Sequence, residues 1–302
     1  MSITKLDQLI EVVKSKPKKR LVAAYANDEH TIEAVYHAIE AGIVEATLVG
    51  DETTIKEVCK QHNFDSNKFT IVQEADEQKA GNLAVSLINS GKGDVLMKGL
   101  LSTDKYMRAI LNKETGLMPG PKAILSHVTV LEVPTYHKLL ICSDVAIIPA
   151  PDLNQKIAIA NFLIQTAKVL QIEKPKVAII AATEQMLAGM PACVDAAIIS
   201  KMADRGQIKG GLVDGPISLD TAVDKESAEI KKLSSPVAGD ADCLLFPNIE
   251  AGNVLYKSTT KLANGELAAM VMGAKVPCIL TSRGDSAKSK MYSIALAALS
   301  AK

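Results

Sequence analysis

The chain has no tryptophan and only ten phenylalanines and tyrosines in 302 residues. That is too few aromatic faces for a base-stacking platform on single-stranded nucleic acid. Net charge is also missing, because 34 basic residues are balanced by 34 acidic ones. The densest basic stretch, Lys16–Arg20, is short, so the positive field of a nucleic-acid binder is absent. No apolar run approaches the ~18 residues of a membrane span. The first twenty residues alternate lysines with apolar residues at helical spacing and do not form a signal-peptide core. Five cysteines (Cys59, Cys142, Cys193, Cys243, Cys278) make an odd number without a CxxC spacing. Most stand in apolar surroundings, as reduced core cysteines of cytosolic proteins do. Together these absences indicate a cytoplasmic protein with neither a nucleic-acid nor a membrane partner.

Several nucleotide, metal and hydrolase motifs are lacking as well. No GxGxxG follows the first strand candidate, Leu21–Ala26, which weakens a nicotinamide Rossmann reading. Gly91-Lys92-Gly93 has no Ser or Thr after the lysine and no upstream glycine, so it is not a Walker loop. There is no HExxH or cysteine–histidine cluster for zinc and no GxSxG nucleophile elbow.

What is present is a regular alternation. Short β-rich runs (Leu21–Ala26, Ala46–Val49, Phe69–Val72, Asp94–Met97, Ala123–Val130, Leu139–Ser143, Ala146–Ile148, Lys176–Ala181, Gly210–Val213, Cys243–Phe246, Glu266–Met272, Val276–Leu280) are separated by helical patterns. Those patterns include Glu29–Ala41, Glu74–Ser90, Thr103–Leu111, Asn154–Val169 and Ala192–Met202. Near-continuous apolar strands between helices predict an α/β fold with mostly parallel sheet and helices on both faces. The length favours two such domains. Val128–Ala150, with three β-like runs and no helix, is the hairpin region where the chain changes domains. Periodicity leaves open whether the last strand and helix close the second domain or return to the first.

In α/β sheets ligands bind beyond the carboxyl ends of strands, and five loops there carry polar residues. Thr281-Ser282-Arg283-Gly284-Asp285-Ser286 joins the run Val276–Leu280 to an alanine-rich helix over 287–301. The N-terminus of a helix attracts anions, and this one holds one of the chain's four arginines, a bidentate donor for phosphate or carboxylate. In Met97-Lys98-Gly99-Leu100-Leu101-Ser102-Thr103, an N-cap explains Ser102 or Thr103. Lys98, ending a buried strand, wants an anionic partner. Ser126-His127 lies in an apolar run, where a histidine is either a hydrogen-bonded core residue or a catalytic one. Val213-Asp214-Gly215-Pro216 reads as strand followed by turn. Pro247-Asn248-Ile249-Glu250-Ala251-Gly252-Asn253 opens a helix, and Asn253 just inside it has no evident structural need to be polar.

Taken in order, Lys98-Gly99-Leu100, Ser126-His127-Val128, the segment 200–210, Val213–Pro216, Pro247–Val254 and Thr281-Ser282-Arg283 resemble the loops of the phosphate acetyl/butyryltransferase family, from Leu6 to the C-terminus. The resemblance implies reversible transfer of an acyl group, butyryl being the expected one, from acyl-CoA to inorganic phosphate. It implies no metal and no cofactor, CoA and acyl-CoA being substrates, and a homodimer or higher homo-oligomer. It implies two three-layer α/β domains, residues 1–130 with 272–302 and residues 131–271, with the active site in a cleft between them. On this resemblance Arg283 clamps phosphate, helped by Lys98, Ser102, Thr103 and Ser126, and Ser282 donates to the developing oxyanion. His127, Asp214, Asn248, Glu250 and Asn253 face the cleft or CoA. The acetyltransferase branch has an aspartate base seven residues after the turn serine, where this chain has Ser289. Asp285, in the turn, and His127 are the substitutes, and the base stays unassigned. Two other readings stand beside this one. The first is a metal- and NAD(P)-dependent 2-hydroxy-acid dehydrogenase of the isocitrate or isopropylmalate type, and the second a CoA- or phosphate-sensing protein.

Overall fold

The structure is a computed structural model that describes residues 2–281 and 285–302. The chain begins α1 (Leu6–Lys14), β1 (Lys19–Ala24), α2 (Glu29–Glu40), β2 (Val44–Gly50), α3 (Glu52–Gln61), β3 (Thr70–Gln73), α4 (Glu77–Asn89), β4 (Val95–Lys98) and α5 (Thr103–Leu111). It continues with β5 (Ser126–Glu132), β6 (Leu140–Ser143), α6 (Leu153–Val169), β7 (Lys176–Ile180), α7 (Pro191–Asp204), β8 (Leu212–Ile217), α8 (Leu219–Val223), α9 (Lys225–Ile230), β9 (Cys243–Leu245) and α10 (Ile249–Leu262). It ends with β10 (Glu266–Met272), β11 (Cys278–Ile279) and α11 (Ala287–Ser300). This is a mixed α/β protein whose strands pair mostly in parallel.

Two compact units divide the chain. One is Asp7–Leu125 with Ala268–Lys302, and the other is Met1–Leu6 with Ser126–Leu267. The second and third boundaries fall at the start of β5 and inside β10, a few residues before the 130/131 and 271/272 positions expected from sequence, and residues 2–6, expected with 7–130, group with the other unit.

In the unit containing Asp7–Leu125 the strand order is β3-β2-β1-β4-β11-β10. All neighbours are parallel except β10 with β11. Leu21, Val22, Ala23 and Ala24 of β1 are fully buried, which is why that run reads as uninterrupted apolar sequence. Aspartates set the helix starts. Asp28, Asp51 and Asp76 accept from the N–H of Thr31 (3.0 Å), Thr54 (2.9 Å) and Lys79 (2.8 Å), each satisfying a donor that the first helical turn leaves unpaired. Cap bonds from Thr54 hold the Asp51 carboxyl below its ordinary range.

In the other unit the order is β5-β6-β9-β7-β8, with β5 and β6 antiparallel and the rest parallel. Two sequence expectations are corrected here. Ala146–Ile148, apolar enough for a strand, is a loop, because its N–H groups turn onto the carboxylate of Asp144. Val213-Asp214-Gly215-Pro216 is not a turn but the middle of β8. That strand lies at the sheet edge, where proline's missing N–H is tolerated, and an irregularity between Ala178 and Ile180 of β7 absorbs the misfit.

Candidate functional site

β1 and β4 are parallel neighbours, so their carboxyl ends deliver two loops to one place. Gly99 N–H donates to Ala24 O at 2.9 Å and Leu100 N–H to Tyr25 O at 2.8 Å. A Cβ on Gly99 would stand 2.4 Å from Tyr25 O, so only glycine permits this approach. Lys98, the last residue of β4, is 8% exposed, and its Nζ donates to Gly99 O at 3.0 Å and Leu101 O at 2.8 Å. Ser102 is the N-cap of α5, accepting from Lys105 N–H at 3.3 Å, and its own N–H donates to Glu77 Oε1 at 2.7 Å. The Lys105 ammonium, and then the Ser102 N–H, hold the Glu77 carboxyl below its ordinary range. Thr103 is the exposed first residue of α5. A cavity of about 290 Å³ opens here, lined by Asp28, Thr31, Lys98, Gly99, Thr281 and Lys290 among others.

Of the turn that precedes α11, Ser282 and Arg283 lie outside the described residues. Asp285 offers its main-chain oxygen to Lys290 Nζ at 2.9 Å. Ser286 is the N-cap of α11 and accepts from Ser289 N–H at 2.9 Å. Its hydroxyl also donates to Ser289 Oγ at 3.1 Å. Ser289, 4% exposed, is thus tied to the cap of its own helix.

The other unit gathers its polar residues around Asp144, which is 1% exposed. The carboxylate accepts from Ser126 Oγ (2.9 Å), His127 N (3.2 Å), Ala146 N (2.7 Å), Ile147 N (2.9 Å) and Ile148 N (3.3 Å). Ser143 Oγ stands 2.7 Å from Ser126 Oγ and donates to His127 O at 3.1 Å. Ser126 is therefore a fully buried ligand of a carboxylate. His127 is 4% exposed, with Nδ1 3.3 Å from Thr129 Oγ1. Asn253 has a structural reason to be polar after all: its Nδ2 donates to Val145 O at 3.0 Å, fastening α10 to the same loop. Gly252 lets α10 come that close, since a Cβ would lie 2.2 Å from Asp144 O. Asn248 is the N-cap of α10, accepting from Ala251 N at 3.0 Å.

The residues that the sequence points to fall into two groups, one described in each unit. Lys98 and the turn before α11 share one unit with the cavity. Ser126, His127 and Asn253 surround the Asp144 loop in the other. Asp214, whose Oδ1 accepts from its neighbour Gly215 N at 2.9 Å, and Glu250, exposed in the first turn of α10, belong to neither group. Asp144 and Lys290 were missed. An aspartate followed at two to four residues by free N–H groups is a recognisable signal for the first. Nothing local marks the second. The cysteines are all buried and free, and burial pushes the thiols of Cys142 and Cys243 up and that of Cys278 to about 12, so these three are not nucleophiles near neutrality. No helix of the described residues is long and apolar enough to cross a membrane.

Comparison with known proteins agrees across the chain. The family model described as Phosphate acetyl/butaryl transferase matches residues 5–84 and 77–298. A phosphate butyryltransferase of Clostridium acetobutylicum is 45% identical over 297 residues, covering 98% of each chain. A phosphate acetyltransferase of Thermotoga maritima is 42% identical over 294 residues, 97% of this chain and 99% of its own. Among solved structures, a branched-chain phosphotransacylase from Enterococcus faecalis V583 superposes with a TM-score of 0.80 at 30% identity, covering 93% of this chain and 98% of that one.

Proposed function

Because the chain belongs to the phosphate acetyl/butaryl transferase family, we propose that it moves a butyryl group reversibly between CoA and inorganic phosphate. A phosphate oxygen attacks the thioester carbonyl, the C–O bond forms, and the C–S bond breaks. The proton lost by phosphate passes to the departing sulfur. CoA and acyl-CoA are substrates, and the reaction needs no cofactor. The observation that carries this reading is the 45% identity to a phosphate butyryltransferase over 98% of both chains. None of the relatives described above is a dehydrogenase, and that alternative has no support.

The chemistry asks for positive charge beside a dianion and a donor where the carbonyl oxygen becomes negative. Arg283 serves as the bidentate clamp on phosphate and Ser282 as the oxyanion donor. Lys98 supplies a second positive charge from the end of β4, supported by its burial and its place on the cavity. Ser102 and Thr103, which follow the same loop at the start of α5, assist Lys98 in holding phosphate. The base is Asp285 or His127, which then carries the proton from phosphate to sulfur, or none, in which case the thiolate leaves first and takes up that proton through solvent. The enzyme works in the cytoplasm as a homo-oligomer, which light scattering on the purified chain tests.

The deciding assay follows CoA release from butyryl-CoA with and without phosphate, in the presence of a metal chelator. Release that depends on phosphate and survives the chelator is the expected result. Release that ignores phosphate refutes the reading. Because a methylene discriminates by only about 1–3 kcal/mol, acetyl-, propionyl-, butyryl- and isobutyryl-CoA are compared by kcat/KM, with butyryl-CoA expected first.

A further inference from the structure

The first turn of α11 carries two lysines with opposite fates. Lys288 is exposed, with its Nζ 3.7 Å from Asp7 Oδ1 and 5.4 Å from the Tyr292 ring centroid. Lys290, two positions on and about 200° round the helix, turns inward and is 6% exposed. Its Nζ has a single acceptor among the described residues, Asp285 O at 2.9 Å, and it joins no ion pair there. An ammonium offers three hydrogens, and a buried charge without a counter-charge is expensive to keep. Asp28 lines the same cavity, with a buried Oδ2 that has no hydrogen-bond partner among the described residues, but no ion pair joins it to Lys290, so the charge facing Lys290 is left to a ligand.

We propose that Lys290 is a phosphate-binding residue and that the cavity it shares with Lys98 holds inorganic phosphate for transfer, an inference that rests on the acyl-transfer reading. The cavity's volume of about 290 Å³ lies at the lower bound of small-molecule sites, enough for a phosphate and too small for CoA. Lys98 comes from β4 and Lys290 from α11, so two rigid elements set the spacing of two positive charges for one dianion. The Thr281 side also borders the cavity and adds a hydroxyl. A merely structural lysine would have a carboxylate partner, as Lys105 has in Glu77.

The test compares wild type with Lys290→Met, Lys290→Gln and Lys290→Arg by two readouts. The first is the rise in Tm produced by inorganic phosphate alone and, separately, by CoA alone, since a ligand of the folded state stabilises it according to concentration over Kd. The second is KM for phosphate against KM for butyryl-CoA. In Lys290→Met and Lys290→Gln the phosphate needed for a given Tm rise, and KM for phosphate, are expected to increase at least about tenfold. The KM for butyryl-CoA should stay within about twofold of wild type, and Lys290→Arg should recover part of the phosphate response. Wild-type phosphate response in a folded neutral variant overturns the proposal. So does a loss confined to CoA, which would assign the lysine to the phosphoryl groups of CoA. If neither neutral variant folds, Lys290→Arg decides, and an unaltered phosphate response in it counts against a geometrically defined site. Failure of the acyl-transfer reading is distinguishable, because it removes phosphate-dependent CoA release from wild type while leaving the phosphate Tm shift to be measured.

Discussion

Asp144 and Lys290 are both charged side chains almost wholly withdrawn from water, at 1% and 6% exposure. Their surroundings treat them in opposite ways. Asp144 is met by five donors, three of them successive main-chain N–H groups of the loop it heads. Among the described residues, Lys290 is met by one carbonyl oxygen and a cavity. A carboxylate with its acceptor capacity filled is a fastening for the chain, and nothing further is required of it. A cation with donors to spare beside open space is waiting for a partner. Buried charge by itself therefore does not mark a functional site. What separates the two cases is whether the fold has completed the shell.

The sharpest way to break this contrast is to remove each charge and ask what suffers. Asp144→Ala leaves five donors, three of them buried, without their acceptor, and an expected loss of about 3–5 kcal/mol should appear as a lower urea midpoint. Activity in that variant should fall only with the folded fraction. Lys290→Met should show the reverse, with a midpoint at or above wild type and the damage confined to the phosphate response. If Asp144→Ala unfolds at the wild-type midpoint, the carboxylate is not the fastening its contacts indicate.

A smaller cut tests the same shell one donor at a time. Ser126→Ala removes a hydroxyl at 2.9 Å from the carboxylate and leaves the four main-chain donors in place. A charged hydrogen bond of this kind is worth about 2 kcal/mol, roughly half the effect of deleting Asp144. Steady-state kinetics at a temperature where both proteins are folded should then show kcat within about twofold of wild type. A large loss of kcat without loss of stability would support the phosphate-pocket role that the family resemblance implies for Ser126.

The sequence disclosed more of the scaffold than of these two residues, for physical reasons. α5 was legible to the residue because an apolar strand, a Ser-Thr cap and a helical pattern agree locally over Val95–Leu111. The Lys98 loop was legible because a lysine has no local reason to end a buried strand. The run Ala146-Ile147-Ile148 is misread because side-chain hydropathy says strand, while the structure is decided by where the N–H groups bond. Lys290 was invisible as one cation among 34. Its burial depends on helix phase, which the Ser286 cap sets, and on a cavity assembled from β4 and α2, both far away in the chain.

A third charge, Glu184, sits between the two extremes and gives the mildest test. Burial alone would raise its pKa, but hydrogen bonds from Ser218, Thr221 and Lys231 outweigh that and hold it at about 2. Its shell thus includes a cation, Lys231 Nζ at 3.1 Å, and remains partly open to water. A carboxyl with a folded pKa of about 2 and an unfolded one near its ordinary 4.5 binds more protons when unfolded across that interval. Its stabilising contribution is therefore complete above about pH 4.5 and disappears as the pH falls toward 2. Glu184→Gln should cost about 1 kcal/mol at pH 7 once solvent screening is allowed for. Denaturation midpoints measured from pH 6 down to pH 2.5 should converge with wild type at the acid end, because the mutant has already lost what acid removes. Asp220 and Asp240, also held at about 2, keep the mutant's own slope from vanishing. Parallel curves for the two proteins would show that Glu184 makes no charge-dependent contribution, and that a mixed shell of hydroxyls and one ammonium is weaker than the complete one around Asp144.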